Sequence, residues 1–192
     1  MPMIRETIIT TVDDEGYVHI APLGIIADGE RWILAPFRPS KTLDNLRVVP
    51  YAVANHTDDV RIYAGCLTGR RDWVTVACEG SPAPRLEHCL AHMTLRVAKV
   101  DDDEMRPRFH CDVTGLASHA PFVGFNRAQA AVIEAAILAS RLHLLPRERI
   151  EREIAALEIV VAKTAGSNEH TAWNWLRTMI DAHFGATNEK KA

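Results

Sequence analysis

The apolar positions of this chain change their period near its middle. In the first half they come in short runs broken by turn residues. Ile8-Ile9-Thr10-Thr11-Val12 is β-branched throughout and stops at Asp13-Asp14-Glu15-Gly16, a strand closed by a turn. Residues 17–26 resume extended character with Pro22 and Gly24 inside, which suggests an edge, a bulge or a close approach by a ligand. Asp28-Gly29 is a hairpin signal, and 31–35 returns as a strand. Further strands are predicted at 51–55, 60–64, 73–78, 89–100 and 108–114, with one short helix at 40–48. About eight strands at hairpin spacing predict an antiparallel barrel or sandwich.

Beyond residue 118 the period becomes helical. Ala130, Ile133, Ile137, Ser140 and Leu144 recur at three and four, as do Ile150, Ile154, Leu157 and Val161, and Ala172, Leu176, Met179 and His183. Pro146 suits the start of the second helix, and Gly166 and Gly185 are placed as C-terminal caps of the second and third. The reading is mainly β with an α appendage: 1–118 as a barrel domain, 119–192 as helices packing on the barrel or on a partner subunit. Trp173 and Trp175 are expected to close a core or an interface.

Composition narrows the class. The 192 residues are 47% apolar and 24% charged with a net charge of -3, which fits a globular fold and lacks a nucleic-acid binder's basic footprint. No apolar run approaches the roughly 18 residues that span a bilayer, and the charged N-terminus does not read as a secretory signal, so a cytoplasmic protein is expected. Cys66, Cys78, Cys89 and Cys111 form no CxxC pair and read as free thiols.

The most informative chemistry lies in Pro36-Phe37-Arg38-Pro39-Ser40-Lys41-Thr42-Leu43. Ser40 is a predicted helix cap. A helix N-terminus favours acidic neighbours, yet Arg38 and Lys41 flank this one, with the Ser40 and Thr42 hydroxyls between them. Free amides, two cations and two hydroxyls make a phosphate site; the competing reading is a plain cap with solvated cations. Neither GxxxxGK[ST] nor GxGxxG is present. His19-Ile20-Ala21-Pro22-Leu23-Gly24 has the small residues that let a flat ligand lie against a backbone, or is simply a bulged edge strand. Asn55-His56-Thr57-Asp58-Asp59 is a polar turn or a third ligand segment. His88 and His92 stand four apart, but the surrounding pattern reads as strand and no metal is expected. Lys163 is explained by a helix C-terminus, and Arg127 follows a predicted cap at Asn126.

Taken in order, residues 6–11, Ala21-Pro22-Leu23-Gly24, residues 36–46 and Asn55 resemble the FMN-binding split-barrel superfamily, and more narrowly domain-of-unknown-function family 447 of methanogens and bacteria with related one-carbon metabolism. Gly124-Phe125-Asn126-Arg127-Ala128 and Lys163-Thr164-Ala165-Gly166 resemble that family's helical part. The resemblance implies a Greek-key-like antiparallel split barrel and a homodimer with two FMN sites at its interface. Ala21, Pro22, Leu23 and Gly24 would lie along the flavin, and Phe37, Arg38, Ser40, Lys41 and Thr42 would hold its phosphate, with Asn55 and Lys163 completing the set. The family carries no assigned reaction. The expected function is a flavin-dependent oxidoreductase or flavin reductase-like protein served by a small-molecule electron donor and linked to one-carbon (methanopterin) metabolism. The alternative is a non-enzymatic flavin carrier, electron-transfer or structural module, and no catalytic residue is assigned.

Overall fold

The computed structural model describes residues 2–189 and divides into two compact units. The first takes the chain up to Thr57 together with Asp72–Phe122; the second takes Asp58–Arg71 and the chain from Val123 onward. A division at 118/119 therefore misses one insertion, the segment 58–71, which leaves the barrel and joins the helices.

Eight strands build the first unit: β1 (Ile4–Val12), β2 (Val18–Asp28), β3 (Arg31–Leu34), β4 (Tyr51–His56), β5 (Thr75–Cys78), β6 (Ser81–Leu86), β7 (Ala91–Asp101) and β8 (Arg108–Ser118). Six of them close an antiparallel barrel in the order β1-β2-β3-β8-β7-β4, a non-sequential order of the Greek-key kind. β5 and β6 form a separate hairpin around Gly80, whose φ of +74° suits glycine. β6 went unrecognised in the sequence because Pro82 and Pro84 argue against a strand; a two-stranded sheet tolerates them.

The single helix of this unit, α1 (Lys41–Val48), inserts Leu43 and Leu46 among Ile9, Ile25, Leu34, Leu95 and Phe109 of the barrel core. Leu46 is 2% exposed, so truncating it to Ala costs about 2–5 kcal/mol. Asn45 donates from Nδ2 to Thr11 Oγ1 at 3.0 Å and ties the same helix to β1.

The second unit holds α2 (Val60–Leu67), α3 (Arg127–Ala139), α4 (Arg147–Thr164) and α5 (Ser167–Glu189). The strand expected at 60–64 is thus a helix, capped by Asp59, whose carboxylate accepts from the Arg61 amide. Val60 and Ala64 pack with the alanines of α3 and with Ile150, Ile154, Trp173 and Leu176. Two expected caps are corrected. Gly166 does not adopt a left-handed φ but precedes α5, where its amide donates to Glu169 Oε2 at 2.9 Å, half of a capping box. Gly185 lies inside α5. Among the described residues no helix is long and apolar enough to cross a membrane.

Candidate functional site

The start of α1 follows directly from its sequence. Pro39, preceded by a cis peptide bond, ends the extended segment, and Ser40 takes extended backbone with its Oγ accepting from the Leu43 amide at 3.3 Å. The Asp44 amide reaches the Ser40 carbonyl, so the amides of Lys41 and Thr42 are the ones left without an intrahelical acceptor. Thr42 is 4% exposed, and no hydrogen bond of its hydroxyl is found among the described residues. These are fixed, unspent donors at the positive end of a helix.

The two cations are not free. Lys41 Nζ pairs with Asp13 Oδ2 at 3.0 Å. That hydrogen bond raises the Lys41 ammonium above its ordinary value and lowers the Asp13 carboxyl below its own. Arg38 donates through Nε to the Asp103 carbonyl at 3.0 Å and through its terminal nitrogen to Asp102. Its backbone amide also reaches the Met105 carbonyl. The cavity beside Arg38, about 370 Å³, is lined by Asp102, Asp103 and Glu104, an acidic wall unsuited to phosphate. Arg38 therefore straps the β7–β8 connection to the segment before α1, and the phosphate-compatible groups reduce to Lys41, Thr42 and two amides. Phe37 is 56% exposed beneath the Arg106 guanidinium, 4.5 Å from its ring centre.

α1 packs on β1 and β2. Ala21, Pro22, Leu23 and Gly24 face Ile9, Ile8, Thr7 and Glu6 of β1 in antiparallel register. β3 joins β2 only from Ile26 onward, so among the described residues this stretch is laddered on one side and half-buried. Its other edge is where a planar ligand could meet backbone.

Asn55 is held differently from its expected role. It is fully buried; Nδ2 donates to the Ile8 and Val53 carbonyls at 3.0 and 3.2 Å, and Oδ1 accepts from the Leu86 amide at 2.7 Å. Both ends of the amide are spent on joining β1, β4 and β6. Lys163 stands exposed in the last turn of α4, within the second compact unit. Arg127 opens α3 behind the Asn126 cap. His88 and His92 are not a pair: His88 is exposed beside Glu87, whereas His92 is buried in β7.

Two residues, one facing α1 and one within it, escaped the sequence reading. Asp13 looked like a turn residue, and only the fold brings it to Lys41. Asn45 Oδ1 is buried with no hydrogen-bond partner, the one such side-chain atom among the described residues.

The sequence model described as protein of unknown function (DUF447), N-terminal domain, matches residues 5–120, and its companion DUF447 model matches 126–178. The chain belongs to the DUF447 family. A comparison with curated proteins finds no match. Among solved structures, the DUF447 chain is similar to the FMN-bound DUF447 protein MM1853 from Methanosarcina mazei, with a TM-score of 0.81 at 20% identity over 93% of this chain and 96% of that one. The 2-nitrobenzoate 2-nitroreductase NbaA of Pseudomonas fluorescens aligns with a TM-score of 0.52 at 16% identity over 62% and 66%. An FMN-binding protein from Thermus thermophilus, solved with 1-cyclohex-2-enone, aligns at 0.50 and 11% identity over 62% and 71%. At these identities the likeness establishes the fold: a closed antiparallel barrel of the split-barrel type followed by helices.

Proposed function

We propose that this DUF447 protein binds FMN and serves flavin-dependent redox chemistry. The observation that carries the reading is the set of unspent donors at the start of α1, on a chain whose family member of the same fold is FMN-bound. The residues fit the cofactor's phosphate. Thr42 Oγ1, the Lys41 and Thr42 amides and the Lys41 ammonium would hold it, while Ser40 keeps the helix end in place. The buried Asn45 Oδ1 lacks a donor, a deficit of about 1–3 kcal/mol that a ribityl hydroxyl would relieve. Backbone of Ala21, Pro22, Leu23 and Gly24 would flank the ring.

Bound FMN supplies hydride and electron transfer, and the protein supplies anchoring and orientation. No side chain beside α1 is assigned a proton-transfer role. The donor in this reading is a small molecule, a nicotinamide or a pterin-type carrier. The assembly is a homodimer with two flavin sites at its interface, to which the half-laddered stretch of β2 and the exposed Phe37 lend support. The four free cysteines suit a reducing, cytoplasmic setting.

The test is an absorbance spectrum of the purified protein with mass analysis of whatever it releases on denaturation, followed by FMN titration and light scattering. Bound FMN and a dimer are expected. A protein that stays colourless and leaves added FMN fluorescence unquenched would sink the proposal. Anaerobic mixing with NADH or NADPH then separates a reductase, which bleaches the flavin over many turnovers, from a carrier.

A further inference from the structure

A chain of three side chains in the barrel unit is not used by the flavin reading. Cys78 ends β5, His92 lies in β7 and His119 follows β8. Cys78 Sγ stands 3.1 Å from His92 Nε2, and His92 Nδ1 stands 2.8 Å from His119 Nε2. The two rings are within 5° of coplanar, and their centres are 5.0 Å apart. That separation is near the greatest that imidazoles joined at this distance allow. The rings therefore meet edge to edge in a hydrogen bond and do not stack face to face.

Cys78 and His92 are each 8% exposed, whereas His119 is exposed. The chain thus runs from a nearly buried thiol to solvent. Thiol and base also line one cavity of about 440 Å³, together with Arg85, Thr94 and Thr114. Nucleophile, base and a third group orienting the base is the arrangement that activates thiols.

We propose that Cys78 is a peroxide-reactive thiol, with the His92 imidazole as its base and His119 exchanging that base's proton with solvent. In the reaction His92 Nε2 takes the thiol proton as sulfur attacks one oxygen of hydrogen peroxide. An S–O bond forms and the O–O bond breaks. Sulfur is oxidised to sulfenic acid, peroxide is reduced, and the departing hydroxide takes the imidazolium proton and leaves as water. One peroxide is consumed per thiol, and no other reactant is needed.

The surroundings favour a neutral resting pair. Burial pushes the Cys78 thiol up, opposed by Arg85, with Cys89 adding to the rise. Burial, His119, Arg85 and His56 in turn hold the His92 imidazole low, so it is neutral and able to accept a proton near pH 7. Glu79 lines the same cavity. Cys89 and Cys111 provide contrast, because their thiols point at backbone carbonyls, Leu86 and Phe109 respectively, each at 3.4 Å.

The test treats the whole protein with hydrogen peroxide, traps sulfenic acid with a carbon-acid probe such as dimedone, and follows each cysteine by peptide mass mapping. Cys78 is expected to react at least about tenfold faster than Cys89 and Cys111, as a base-assisted thiol should. His119→Gln, at an exposed position, should slow Cys78 severalfold while the protein stays folded. In the native protein the Cys78 rate should hold level around neutral pH and fall only once the pH drops to the lowered range where His92 protonates. His92→Gln, left with an unassisted thiol, should lose that plateau and fall continuously as pH drops. The proposal is overturned if Cys78 reacts no faster than the other two. It is equally overturned if both histidine variants leave its rate and pH profile unchanged. Neither result bears on FMN binding, which is read separately from the spectrum.

Discussion

Replacing Thr42 with Val tests the α1 site with little structural cost. Valine keeps the shape and β-branching of threonine, so helix propensity and packing at this 4% exposed position change little. Among the described residues the lost hydroxyl has no hydrogen-bond partner, so none is orphaned. If that hydroxyl donates to a phosphate, one hydrogen bond to a charged group is lost, about 1.5–3 kcal/mol or roughly 10- to 150-fold in Kd. The assay is FMN fluorescence quenching on apoprotein, with urea unfolding as the control. Arg38→Ala supplies the contrast. Its guanidinium is engaged by Asp102 and the Asp103 carbonyl, so the loss should appear mainly in stability and loop order. If Thr42→Val binds FMN within about twofold of the parent, which excludes a charged hydrogen bond, and Arg38→Ala abolishes binding, the phosphate lies on the Arg38 side and the α1 reading fails.

Other perturbations separate structural from ligand roles. Asn55→Ala should destabilise the fold by about 1–3 kcal/mol for each buried group it strands, the Leu86 amide foremost, as urea denaturation will show. A large drop in FMN affinity with unchanged unfolding would contradict that assignment. Gly115→Ala places a Cβ 2.6 Å from Thr94 Oγ1, a 2% exposed and stiff side chain, and should cost about 1–3 kcal/mol by the same measurement. Thermal unfolding should depend on pH through His56, which burial and then Arg5 lower, and through His92. Their folded-state values lie below the ordinary 6.5, so the unfolded chain binds protons first. Tm should be flat above that pH and fall as pH drops below it, until the folded-state values are passed. His56→Gln should shallow the fall, and a Tm that rises on acidification would refute the sign.

The barrel was legible where sequence chemistry is local. Ile8 to Val12 could only suit a strand, and Ser40 announced its helix. Two misreadings have separate physical causes. A short apolar run such as Val60-Arg61-Ile62-Tyr63-Ala64 carries too few residues for its period to tell a strand from a buried helix turn. Pro82 and Pro84 hid a strand because propensity says nothing of whether the other edge of that strand is needed. The site was half legible. Cap, hydroxyl and cations were all visible, but the ownership of the cations was not. Asp13 lies 28 positions from Lys41 and Asp102 lies 64 from Arg38. Nothing in residues 36–46 can reveal an acid that only the closing of the barrel brings near. Cys78, His92 and His119 were hidden for the same reason, on β5, β7 and the end of β8.

These long-range partners change what the α1 site means. Leu43 and Leu46 are sunk in the barrel core, Asn45 is tied to Thr11, and Ser40 fixes the first turn. The amides of Lys41 and Thr42 are thus held in place before any ligand arrives, which removes much of the ordering cost of binding. Lys41 is the movable element, since its exposed pair with Asp13 is worth little in water. A dianion arriving at α1 competes with Asp13 for that ammonium and must also tolerate the carboxylate beside it. A singly charged anion gains less from the amides and meets the same neighbour. In the proposed site it is therefore the fixed amides that favour a phosphate monoester over a carboxylate, and Asp13, which repels the dianion more strongly, limits that preference.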